Sequence, residues 1–173
     1  PIMDEPGVKA LFAKVRGPAS ESERKRAIER SRRTIESVRF GTSPPERRER
    51  IVKLDAAIAE VTEQLEVWPD NGELYYWRGR LSELLNRNKE AVENYNQAVK
   101  RNPRLGDARY RRNLCAWRIV PEDAFPLLPF GSDISAPAFK TATEDVEALK
   151  ELNVRPEQAI LLRALAEYGP ALM

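Results

Sequence analysis

Residues 72–105, GELYYWRGRLSELLNRNKEAVENYNQAVKRNPRL, carry the pattern that decides the fold. Two apolar patterns of helical period run back to back, broken once at Asn86-Arg87-Asn88 and closed by Asn102-Pro103. Gly79 and Ala91 are small where two helices cross closely, because a larger side chain there would push them apart. Tyr95 and Ala98 suit the contact with a following helix, and Pro103 cannot continue the second one. Helices are expected at about 71–86 and 88–101.

The order Tyr75, Gly79, Ala91, Tyr95, Ala98 and Pro103 resembles the signature of the tetratricopeptide repeat, a helix–turn–helix unit of about 34 residues. Two positions depart from it: Arg78 stands where Leu is usual, and Ser82 where a large residue is usual. One repeat length upstream, Ala57, Leu65 and Pro69 fall in or beside the matching places of a second helix. One length downstream, GDARYRRNLCAW from Gly106 resembles a first helix, with Tyr110 at its fifth position. The pattern fails after Ile119, where Pro121, Pro126 and Pro129 forbid an ordinary partner helix. The resemblance covers roughly residues 52–118 and implies an all-α, TPR-like right-handed antiparallel array of about seven helices.

Composition agrees with a helical chain. Of 173 residues, 32% are charged, and the formal net charge is only +2. The charge is unevenly spread. Arg24 to Arg50 carries ten basic residues and four acidic, whereas Val120 onward carries four basic and nine acidic. One surface should be basic and another acidic. The single cysteine, Cys115, excludes an internal disulfide and reads as a small buried hydrophobe. With no histidine, the usual general base and the commonest metal ligand are both missing. The longest apolar run, Ala159 to Leu162, is far too short to span a membrane, and a cytoplasmic location is the expectation.

Outward from the hairpin, residues 1–19 form an N-terminal arm with a short helical pattern at Val8–Ala13. Residues 20–119 form the TPR-like helical domain. Ser20 and Glu23 suggest a capping box opening a basic helix at about 21–39. Ser43-Pro44-Pro45-Glu46 starts the next helix, whose Ile51, Leu54, Ile58, Val61, Leu65 and Trp68 form one apolar seam. These two helices are expected to make a long antiparallel hairpin. Residues 120–141 read as an irregular Pro-rich segment packing on the body, and 142–173 as a C-terminal helical pair of the same domain. In that pair one helix opens at Thr143 and another at Pro156; the latter, apolar nearly all round, is buried in the chain or forms a homodimer contact.

No catalytic constellation, glycine-rich phosphate loop or metal-ligand spacing stands out, so neither enzyme activity nor a cofactor or metal is expected. The resemblance implies protein binding on a concave face. Its lining would be Glu73, Tyr76, Arg80 and Glu83 of one helix, then Asp107, Tyr110, Leu114 and Trp117 of a later one, with Trp77 and Arg111 beside them as further partner contacts. Aromatics there offer contact area at low entropic cost, and Arg orients carboxylates or carbonyls. Two readings of that face stay open: it holds a peptide or helix of a partner, or residues 120–141 or the C-terminal helices fill it. Repeats that clamp a chaperone's terminal carboxylate need residues that Trp77 and Asp107 do not supply, and Arg111 alone matches. The function expected is a scaffold or adaptor module in protein complex assembly. The rival is a basic helical adaptor for RNA or DNA, using residues 24–50 and 100–118. Its contacts would be Arg24, Lys25, Arg26, Arg30, Arg32 and Arg33, although Glu29 and Glu36 interrupt them.

Overall fold

The computed structural model describes residues 18–38, 43–119 and 136–152. Six helices account for most of them: α1 Pro18–Ser37, α2 Pro44–Val67, α3 Gly72–Leu84, α4 Asn88–Arg101, α5 Gly106–Ile119 and α6 Ala136–Glu151. No strand occurs among the described residues, which are all-α. The N-terminal arm, residues 120–135, the helix expected from Pro156 with its homodimer contact, and the side chain of Trp117 lie outside the described residues.

Two helix starts differ from the sequence expectation. α1 opens at Pro18 and takes Ser20 into its first turn instead of being capped by it. α6 opens at Ala136 rather than Thr143, so residues 136–141 are helical and not part of an irregular segment. Proline explains both: its fixed φ fits a first turn, and its missing N–H is one that a first turn leaves without a helical partner. The other helix starts follow their local chemistry. Glu46 accepts a hydrogen bond from the Ser43 amide at 3.2 Å, and Asn71 caps α3 by accepting from Leu74 N–H at 3.0 Å. Asn86 ends α3 with φ at 58°, a left-handed conformation that asparagine tolerates better than most residues.

Each helix packs on its neighbour in the chain, and α1 also reaches α3. α1 and α2 run antiparallel: Arg30 bridges to Glu60 at 2.7 Å, and the Arg24 guanidinium lies 5.2 Å from the centre of the Trp68 ring. Leu54, Ala57, Val61 and Leu65 of α2 form a core with Leu74 and Leu81 of α3, and Ile28, Ile35 and Val38 close it from the α1 side. Each large side chain so buried contributes about 1.5–3 kcal/mol. Ile51, expected in that seam, is instead 43% exposed beside Val52 at 67%. The reason is length. α2 has 24 residues against 13 in α3, and Arg87 just past α3 reaches Asp55 at 2.8 Å. The first turns of α2 therefore overhang the end of α3.

α3, α4 and α5 make the second core, with Ala91, Tyr95, Ala98, Ala108 and Cys115 fully buried. A Cβ on Gly79 would sit 2.7 Å from the Tyr95 ring, so the glycine is there to let that ring lie on the α3 backbone. α6 docks on α5 through Val146 and Leu149 against Tyr110 and Leu114. It docks as well through a carboxylate: Asp145, with no exposed surface, meets Arg109 at 2.8 Å, Arg112 at 2.6 and 3.1 Å and Asn113 at 2.8 Å. A charge so buried is tolerable because its oxygens are filled by donors.

Candidate functional site

α3 shows three faces to its surroundings. At about 100° per residue, Tyr75, Arg78 and Ser82 share one, Tyr76, Gly79 and Glu83 a second, and Glu73, Trp77 and Arg80 a third.

The second face belongs to the interior. Glu83, only 10% exposed, accepts the Tyr95 hydroxyl at 2.7 Å and Arg111 at 3.0 and 3.2 Å, with Arg118 at 3.5 Å. It ties α3 to α4 and α5 at once. Burial is the largest single influence on the Arg111 guanidinium and disfavours its charge, but Glu83, Tyr95 and Tyr76 together outweigh it and the pKa is raised. Burial and then Glu83 push the Tyr95 phenol far above its ordinary value. Glu83 and Arg111, expected to meet a partner, are thus engaged with each other. Tyr76 is half-buried, 6.1 Å from the Tyr95 ring and 5.2 Å edge-on from Trp77. On α5, Tyr110 and Leu114 lie partly under α6, so α6 occupies part of the face expected for a partner.

The third face is more open. Glu73 is exposed, and Trp77 directs its indole N–H to the Glu73 carboxylate at 3.5 Å. Arg80 is half-buried, and its Nε has no hydrogen-bond partner among the described residues. Asp107 is half-buried at the start of α5.

The first face floors a groove of about 710 Å³, open to solvent. One wall is Ile58 and Thr62 of α2; the other is α4, from Glu90 and Asn94 to Gln97 and Arg101. Tyr75 lies between two guanidiniums, with Arg101 4.4 Å and Arg78 5.3 Å from its ring centre. Arg101 is committed, giving Nε to the Pro69 carbonyl at 2.7 Å and Nη1 to Gln97. Arg78 is less so. Its Nε donates to Asn94 Oδ1 at 2.7 Å and its Nη1 reaches Thr62 Oγ1 only at 3.5 Å. It has no carboxylate within 4.0 Å among the described residues. Burial holds its pKa below the ordinary arginine value, with Tyr75 and Glu90 opposing at longer range.

The sequence did not single out this groove. Its signal was there in the two departures from the repeat pattern: Arg78 and Ser82 stand where bulky apolar side chains would fill the seam, and both line the opening.

The basic residues of α1 are mostly spoken for. Arg24 and Lys25 pair with Glu21, Arg30 with Glu60, Arg32 with Glu36, and Arg33 with Glu29. Of these expected contacts, only Arg26 has no ion pair among the described residues. Carboxylates interleaved at this density cancel the field that would draw a phosphate backbone.

No family model, curated protein or solved structure matches the chain. Among the described residues there is no acidic, cysteine or histidine cluster fit to hold a metal, and no helix long and apolar enough to cross a membrane.

Proposed function

We propose that this chain is a non-enzymatic binding module that holds a segment of a partner protein, a scaffold part rather than a catalyst. One observation carries the reading: the solvent-open groove between α2, α3 and α4, sized for a few residues of extended chain and lined by side chains that donate and accept hydrogen bonds. Its walls are helices packed on the two cores, so binding would need little reordering, and preorganisation of that kind favours affinity. The face first expected from the sequence is the poorer candidate, since Glu83 and Arg111 are tied to each other and Tyr110 and Leu114 lie under α6.

The test is capture from the native lysate with two variants on opposite sides of α3. Gln97→Trp fills the groove from an exposed position; Trp77→Ala trims the far face. A protein retained by wild type and Trp77→Ala but lost with Gln97→Trp supports the groove. Loss in Trp77→Ala alone moves the site to the far face. Capture abolished by nuclease, whatever the variant, favours the nucleic-acid adaptor.

A further inference from the structure

We infer that the groove recognises its segment by a single carboxylate seated on Arg78, flanked by neutral or basic residues. This rests on the groove being the binding site and adds what it reads.

Arg78 is the unusual member of the lining. A buried guanidinium ordinarily faces an acid, as Arg109 and Arg112 face Asp145 and Arg111 faces Glu83. Arg78 faces Tyr75, Asn94 and Thr62, all neutral, and one of its bonds is long. Glu90 acts on it only from beyond 4.0 Å, so this guanidinium, held half out of water with no direct ion pair, gains from an incoming anion, to which it offers two parallel N–H bonds. The local scaffold suits the task. Asn94 is fixed by donating to the Glu90 carbonyl at 2.8 Å, and Thr62 by donating to the Ile58 carbonyl at 2.8 Å. Both therefore hold Arg78 from below without competing for its charge.

The rim sets the rest of the specificity. Glu90 and Glu93 are exposed on the α4 wall and balance Arg78 and Arg101, so the groove as a whole carries no net charge. A run of acids would be repelled at the rim even while one of them was drawn to the floor. A lone Asp or Glu between Lys, Arg or neutral residues satisfies both, its flanks donating to Glu90 and Glu93.

The experiment uses two synthetic peptides, Ac-Gly-Lys-Glu-Lys-Gly-amide and the same peptide with Gln for Glu, titrated into the full chain labelled with nitrogen-15. The readouts are the Arg78 Nε–Hε and Asn94 side-chain amide signals. The Glu peptide is expected to shift both saturably and to bind at least about tenfold more tightly than the Gln peptide, the least a charge-assisted bond is worth. Arg78→Leu should abolish that preference. Arg78→Gln, which keeps a donor for Asn94 and removes the charge, should do the same, and serves if the leucine variant does not fold. Equal binding of the two peptides, a preference that survives both variants, or no saturable shift up to about 10 mM overturns the inference. A lysate partner lost with Gln97→Trp yet kept with Arg78→Gln overturns it too, while leaving the groove as the binding site.

Discussion

Arg112 grips Asp145 with two of its nitrogens, Nε to Oδ2 at 3.1 Å and Nη2 to Oδ1 at 2.6 Å, across the seam between α5 and α6. Among the described helices α6 packs chiefly on α5, where this clamp and the small Val146–Leu149 contact join them. Asp145→Asn keeps the shape but strands two guanidiniums, and breaking a buried pair from one side costs about 3–5 kcal/mol. The loss should be local. In hydrogen exchange, α6 amides are expected to lose protection while α3 and α4 keep theirs; uniform loss would mean that α6 is integral to the whole.

Gly79→Ala sets helix propensity against packing. Alanine favours the helix by about 1 kcal/mol, yet its Cβ would stand 2.7 and 2.9 Å from two atoms of the Tyr95 ring. That ring cannot step aside, because its hydroxyl is tied to Glu83 and it is fully buried. Overpacking of this kind costs about 1–3 kcal/mol, so a net loss is expected in urea melts. A stabilised variant would show the ring to be freer than its contacts imply.

Tyr95→Phe removes the phenol from Glu83 and leaves the two arginines in place. A hydrogen bond to a charged group contributes about 1.5–3 kcal/mol, and that is the loss expected. The same melts carried out in Gln97→Trp should show a smaller loss, since Gln97 is exposed and gives up only a solvent-facing bond from Arg101.

Arg78→Leu tests stability against function. The leucine replaces the guanidinium with an apolar side chain, but it orphans Asn94 Oδ1, which is nearly buried. The single change should be neutral or cost about 1 kcal/mol. Adding Asn94→Leu removes the orphan, and the double variant should be at least as stable as wild type, as when a buried charge gives way to packed apolar groups. A double variant less stable than the single would show that the polar floor contributes to the fold itself.

Cys115 gives the alkaline limb of stability a definite sign. Burial first, and then Glu83, raises its thiol from 9.0 to about 11. The native state therefore holds the proton more tightly than the unfolded one. The resulting stability is complete below pH 9.0 and is lost as pH climbs towards about 11, by about 3 kcal/mol at most. Cys115→Ala should flatten that limb, and native Cys115 should resist alkylation at pH values near 8, where its thiolate is scarce. Rapid alkylation would contradict its burial.

The hairpin of α3 and α4 was legible because its punctuation is local: Gly79, Ala91, Asn86 and Pro103 each do by themselves what the fold needs. α2 was legible from its apolar steps, although Ile51 was not, since exposure depends on where a neighbouring helix stops. The pairing of Glu83 with Arg111 was not legible for a related reason. A charged residue on a helix face looks the same in sequence whether it meets solvent or a partner 28 positions away. The groove was hidden because a cavity is made by side chains that are absent, and only the mismatches at Arg78 and Ser82 pointed to it.

The clamp on Asp145 also has an order in time. Synthesis proceeds from the N-terminus at about 5–20 residues per second, so Arg109, Arg112 and Asn113 leave the ribosome a few seconds ahead of Asp145. By then α5 has α4 to fold against, and each earlier helix has its predecessor. The acid thus emerges opposite donors already in position, and the last described helix closes on a finished template instead of searching for one.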